Sequence, residues 1–114
     1  KDRVSEDDNE WVREAAVKEL ARGWKDNNDT SPSLKDRASK DSDEGVRKAA
    51  VQELARGWKD DPDTLPLLKD RASKDSNENV RQAALQELAR GWKDDPEVMK
   101  LIEAANKESD DELI

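Results

Sequence analysis

The chain has 114 residues, of which 44% are charged and only 32% hydrophobic, and it carries a formal net charge of −8. It contains no cysteine, histidine or tyrosine, which excludes disulfides, thiolate metal sites and the commonest general-base and nucleophile pairings. Taken without regard to order, this composition fits a disordered segment.

The order of the residues overrules that reading. Glu-Leu-Ala-Arg-Gly-Trp-Lys-Asp stands unchanged at 19–26, 53–60 and 87–94, a spacing of 34 residues each time, and Leu34 to Ser42 is identical to Leu68 to Ser76. A fixed period of this size signals stacked units, each needing only a thin apolar seam against its neighbours. One repeat domain spanning 1–114 is expected: a partial helix at 1–6, units at 7–40, 41–74 and 75–108, and a tail at 109–114. No linker interrupts it.

In chain order, Lys1-Asp2-Arg3 aligns with Lys35-Asp36-Arg37 and Lys69-Asp70-Arg71, so the chain is expected to open inside a short helix. At about 100° per residue, Val12, Ala16, Val17, Leu20, Gly23 and Trp24 share an arc of roughly 140°, which predicts a long amphipathic helix over 10–25. In the short helix that follows, Ser31 and Ser33 stand where the second unit has Leu65 and Leu67, making the first unit the weak one. Ser42 is expected to open the second long helix, 44–59, whose arc is Val46, Ala50, Val51, Leu54 and Trp58. Asp60-Asp61-Pro62 closes it. Asp63 or Thr64 then starts a short helix that holds Pro66 in its first turn and buries Leu65, Leu68 and Ala72.

Ser76 opens the third long helix, 78–93, with Val80, Ala84, Leu85, Leu88 and Trp92 on its apolar side. The last short helix departs from the pattern. Val98, Met99, Ala104 and Ala105 enrich it, Asn106 replaces the alanine of Ala72, and Glu112 matches Glu78, where another long helix would begin. A segment of a longer array is the preferred explanation, with a designed consensus array as the rival. Trp24, Trp58 and Trp92 are expected to pack between units. Gly23, Gly57 and Gly91 beside them imply either close approach of a neighbouring helix or the end of the last turn.

Arg13, Arg47 and Arg81 fall inside the apolar arc, where an unpaired guanidinium would be strongly unfavourable. The carboxylates offered by the pattern are Asp7, Asp41 and Asp75, six residues earlier in each unit. With these residues in view, the chain resembles the HEAT repeat family, whose signature is an Asp in the turn followed six residues later by the Arg of a Val-Arg pair. Asp7 with Val12-Arg13, Asp41 with Val46-Arg47 and Asp75 with Val80-Arg81 match it. Ala-Ala-x-x-Glu-Leu-Ala looks like that family's second helix, and Thr64-Leu65-Pro66-Leu67-Leu68 like its proline-bearing first helix. The 34-residue period and the Arg-Gly-Trp-Lys-Asp ending are similar to arrays in bacterial, particularly cyanobacterial, multidomain proteins. The resemblance implies an all-α, right-handed solenoid of antiparallel helix pairs, and a structural ladder of these Asp and Arg residues running between successive repeats.

What varies between units points to function. Three of the four variable positions of the long helix are Trp11/Gly45/Asn79, Glu14/Lys48/Gln82 and Lys18/Gln52/Gln86, on one strip opposite the core. By the resemblance, this strip lines the concave surface and is the candidate site for a protein or peptide partner. A spacer or engineered scaffold without a ligand is the alternative. A nucleic-acid module is less favoured. Arg22, Arg56 and Arg90 with Lys25, Lys59 and Lys93 could form a basic ladder, but the overall charge opposes phosphate binding.

No catalytic residues, cofactor or metal are expected. Asp26-Asn27-Asn28-Asp29 lacks the glycine and final glutamate of a calcium loop. No apolar run has the ~20 residues of a membrane span, and no signal-peptide pattern opens the chain. The expectation is a soluble cytoplasmic protein, monomeric, with end-to-end self-association as a possibility.

Overall fold

Each long helix forms because an apolar stripe recurs at helical spacing and because its first turn is capped. The computed structural model describes residues 9–25 and 27–113. The long helices are α1 (Glu10–Gly23), α3 (Glu44–Gly57) and α5 (Glu78–Gly91); the helices between and after them are α2 (Thr30–Lys40), α4 (Thr64–Lys74) and α6 (Pro96–Leu113). No strand occurs among the described residues. Asp7, the expected partial helix at 1–6, and Asp26 lie outside them.

The caps correct one expectation. Ser42 and Ser76 do not open the long helices; Asn9, Asp43 and Asn77 do, one residue later in the register. Their side-chain oxygens accept from the backbone N–H groups of Val12, Val46 and Val80 respectively. These bonds satisfy orphan donors of the first turn, a contribution of about 1 kcal/mol each. Every long helix then ends at its glycine, two residues before the expected end, with Trp24, Trp58 or Trp92 as the non-helical cap. A methyl group on Gly57 or Gly91 would meet only the Lys25 or Lys59 side chain at ordinary contact distance, and one on Gly23 would meet nothing within 4 Å. Close backbone approach does not account for these glycines, each of which is the last residue of its helix and has no positive φ.

The turn that follows is built twice in the same way. Thr30 Oγ1 donates to the Trp24 carbonyl at 2.5 Å and Thr64 Oγ1 to that of Trp58 at 2.6 Å. Both threonines are buried as the first residues of α2 and α4. Pro32 and Pro66 lie in those first turns, where no intrahelical N–H bond is needed. The third unit has Lys100 at the corresponding place, so its helix can begin earlier, at Pro96. Asp95 there accepts from the amides of Glu97 and Val98.

Packing follows the repeat. α2 packs along α3 and α4 along α5 as antiparallel pairs, while α1, α3 and α5 lie side by side; α2 and α4 touch each other only slightly. The long helices are thus the crowded layer and the short helices the splayed one. The core is the seam between layers: Val17, Leu34, Val46, Ala50, Val51, Leu54, Leu68, Val80, Ala84, Leu88 and Val98 are fully buried. Each buried Leu or Val contributes roughly 1.5–3 kcal/mol. Val12 remains 43% exposed although Val46 and Val80 are at 0%, because no described helix packs on α1 as α1 packs on α3.

The buried arginines Arg13 and Arg47 find carboxylates, and Arg47 finds its own elsewhere than six residues earlier. Arg13 donates through Nε and Nη2 to both oxygens of Asp41, at 3.1 Å each, and Arg47 does the same to Asp75 at 3.0 and 3.1 Å. The carboxylate therefore comes from the following unit. The six-residue spacing serves a different bond, in which Nη1 of Arg47 donates to the backbone carbonyl of Asp41 at 2.7 Å and Arg81 to that of Asp75 at 2.6 Å. Arg37 and Arg71 add a second cation to Asp41 and Asp75. The inter-repeat ladder is present for Arg13–Asp41 and Arg47–Asp75, whereas Arg81 is bonded to a carbonyl.

The last helix lacks the residues that build the turn in the earlier units. Ser109 stands where Asp41 and Asp75 close the earlier short helices, and Ala105 where Arg37 and Arg71 brace them. There α6 does not break. It runs on to Leu113, so residues 109–113 continue the helix instead of forming a separate tail.

Burial by itself raises the Asp41 and Asp75 carboxyls, but hydrogen bonds outweigh it and hold both below the ordinary carboxylate range. The donors are Arg13, the Asp43 amide and Arg37 for Asp41, and Arg47 and the Asn77 amide for Asp75. A depressed folded-state value stabilises above the unfolded value of about 3.9 and is lost as pH falls through the folded value. Stability in urea is accordingly expected to drop below about pH 4, with a shallower slope in an Asp41→Asn/Asp75→Asn variant. At neutral pH, Asp75→Ala should destabilise by about 3–5 kcal/mol, because it strands a buried guanidinium. Asp63→Ala, at an exposed ion pair, should change stability by less than about 1 kcal/mol; urea midpoints measure both.

Candidate functional site

A groove of about 550 Å³ opens on the long-helix layer between α1 and α3. It is lined by seven of the nine variable-strip residues: Trp11, Glu14, Lys18, Gly45, Lys48, Gln52 and Asn79. Gln82 and Gln86 lie on the same helix face of α5 but do not line it. Their i, i+4 relatives one unit back, Lys48 and Gln52, take part because α1 and α3 form the walls.

Four further residues complete the lining, Glu10, Asp43, Glu44 and Ala49. Sequence reasoning missed them. Glu10 and Glu44 belong to the acidic first turns of α1 and α3, and Asp43 is the α3 cap, so each had a local helical role that hid its position at the mouth of the groove. The available signal was that Asn9 and Asn77 occupy the cap register in the other units, leaving Asp43 as the charged exception.

Electrostatically the groove has two ends. Glu10, Asp43 and Glu44 gather at the N-terminal ends of α1 and α3, Glu14 and Lys48 stand one turn in at the same register, and Lys18 and Gln52 lie a turn beyond them. Lys18 pairs with Glu14 at 3.4 Å in i, i+4 fashion. Gly45 is the constriction point. A Cβ placed there would lie 2.9 Å from Asp43 Oδ2 and 3.0 Å from Glu14 Oε1, so two carboxylates from adjacent helices converge on the space that the missing side chain leaves open. Beside them Trp11 is 75% exposed, unlike the packing tryptophans.

Two of the other tryptophans and five of the six cations of the suspected basic ladder meet one another or acids. Trp58 and Trp92 pack partly buried against the core, and Lys25 and Lys59 of the preceding units lie over their rings at 5.9 and 5.5 Å from the centroids. Trp24, with no such lysine over it among the described residues, is 53% exposed. Arg22 and Arg56 reach Glu53 and Glu87 at 3.2 Å, and Arg90 joins Glu87 at 3.6 Å. These buried glutamates form a second ladder not foreseen from spacing and offset the charge of the three arginines, whose side chains stay more than half exposed.

The family model described as HEAT repeats matches residues 1–89 and 31–114. The chain belongs to the HEAT repeat family, with the all-α architecture of stacked helix pairs. HEAT repeats generally serve as non-catalytic scaffolds for protein interaction. No curated protein and no solved structure matches the chain. No helix among the described residues is long and apolar enough to cross a membrane.

The two classes of tryptophan should separate in stability measurements. Trp11→Ala is expected to shift the free energy of unfolding by no more than about 0.5 kcal/mol, as exposed substitutions do. Trp58→Ala should cost more than about 2 kcal/mol, through lost packing and an uncovered Lys25. Equilibrium urea denaturation of both variants reads the difference.

Proposed function

Starting from its membership of the HEAT repeat family, we propose that this chain is a non-catalytic binding module that holds a protein or peptide partner along the long-helix face. The observation that carries the reading is the overlap of the groove with the variable strip: seven of the nine residues at which the long helices differ on this face line the groove described above. A solenoid whose ladders, caps and turns are constant can change what it binds only where those contacts are absent. Exposed Trp11 supplies the kind of large, rigid side chain that anchors interfaces.

The geometry supports a polypeptide over a nucleic acid. Arg22 and Arg56 are engaged with buried carboxylates, and the N-terminal end of the groove is acidic. Phosphate contacts depend on accessible cations.

The test compares the chain with a Trp11→Ala/Lys48→Ala/Gln82→Ala variant, all three positions being exposed. Proteins captured from a bacterial lysate on the immobilised chain are identified by mass spectrometry, purified and titrated by calorimetry against both forms. Binding weakened at least tenfold in the triple variant is expected. Partners that bind both forms equally, or equal and empty captures, would count against this face as the binding surface.

A further inference from the structure

The groove is not chemically uniform, and its acidic end is made once only among the described junctions. At the junction of α1 and α3, Glu14 faces the Asp43 cap across Gly45. At the junction of α3 and α5 the corresponding residues are Lys48, Asn77 and Asn79, so neither carboxylate nor gap is repeated. Trp11 is likewise replaced there by Gly45. An aromatic side chain, an open backbone position and two carboxylates of different helices therefore coincide at a single place.

We infer that this end of the groove seats an arginine side chain of a bound peptide, stacked on Trp11 and bridging Glu14 and Asp43 above Gly45. The inference rests on the reading that this face binds a polypeptide, and it names the chemistry of that polypeptide. Charge complementarity selects a cation. Asp43 Oδ2, which also accepts the Val46 amide as the α3 cap, and Glu14 Oε1 both lie within about 3 Å of the point where a Gly45 side chain would begin, and Glu10 and Glu44 line the same groove. Lys18 compensates only Glu14, through its Oε2, leaving Oε1 directed at the gap.

A metal ion does not suit the place, because among the described residues no three acidic side chains are spaced to hold one. Guanidinium suits it better than ammonium. It is planar, so it can lie flat on the Trp11 ring, and its fork presents N–H donors in two directions at once, toward acids on separate helices. Beyond this seat Lys48 and Gln52 line the groove. A peptide running along α1 and α3 away from their N-terminal ends thus leaves the acidic end for a polar and basic one, which orders an arginine at one end and neutral or acidic residues after it.

Two substitutions test the seat without threatening the fold, since each installs what another unit already uses at that register. Glu14→Gln reproduces Gln82, and Asp43→Asn reproduces Asn77, which caps α5 through its side-chain oxygen. A random dodecapeptide display library is selected on the parent chain. Recovered peptides are then labelled and titrated by fluorescence anisotropy against the parent, the Glu14→Gln/Asp43→Asn variant, Gly45→Leu and the Trp11→Ala/Lys48→Ala/Gln82→Ala variant.

The expected result is enrichment of an arginine at one position of the selected peptides. Their affinity should fall about tenfold in Glu14→Gln/Asp43→Asn, fall comparably when that arginine is changed to glutamine, and be lost in Gly45→Leu, which fills the gap. Peptides without an arginine preference that still require Trp11, Lys48 and Gln82 would overturn this inference and leave the binding face standing. Failure to recover any peptide that depends on those three residues would overturn both.

Discussion

Arg13 and Arg47 are buried guanidiniums whose carboxylate partners lie in the next repeat, and the rest of the structure is arranged around that necessity. A guanidinium removed from water is strongly destabilising unless several acceptors meet it. Arg47 satisfies its fork with Asp75 of the following unit and its remaining amino group with the Asp41 carbonyl of its own. One side chain thereby joins the preceding turn, its own helix and the next turn. The Asp it grips is also braced by Arg71 and bonded by the Asn77 amide. Where Ser109 replaces that Asp, the short helix does not break.

The same polarity runs through the other junction contacts. Arg13, Arg22, Lys25 and Lys35 of one unit meet Asp41, Glu53, Trp58 and Asp61 of the next. Cations come from the earlier unit, acids and aromatic faces from the later one. Units built this way stack in one order only, with a register fixed by charge as well as by the alanine-rich seam. The hydrophobic contribution is modest, with no fully buried aromatic side chain, and the ion pairs add directionality that a thin apolar seam lacks. Because these contacts occupy constant positions, the long-helix face is left free to differ between units, and the groove with its Trp11, Glu14, Asp43 and Gly45 is where it does.

Much of this was legible in the sequence, for identifiable reasons. A period of 34 residues and an apolar stripe at helical spacing specify helix pairs without any appeal to context, and the positions of α1, α3 and α5 followed to within two residues. The variable strip was readable because identical units make every difference conspicuous. Contacts across units were less so. Spacing within a unit suggested Asp41 for Arg47, whereas the bond at that spacing goes to the Asp41 carbonyl and the carboxylate comes from 28 residues ahead. For Glu53 and Glu87, spacing within their own units does not signal the partners Arg22 and Arg56, which packing brings to them from the preceding ones. Asp43, with Glu10 and Glu44, was invisible as part of the groove because a helix N-terminus favours acids for its own sake.

The central claim is that the Arg–Asp pairs couple one repeat to the next, and a double-mutant cycle on Arg47 and Asp75 tests it most directly. Arg47→Met, Asp75→Leu and the double variant would be compared with the parent by urea denaturation. The account predicts a coupling of roughly 2 kcal/mol or more, because each single change strands a buried charge and the double change removes both. Single effects that add to within about 0.5 kcal/mol would contradict it.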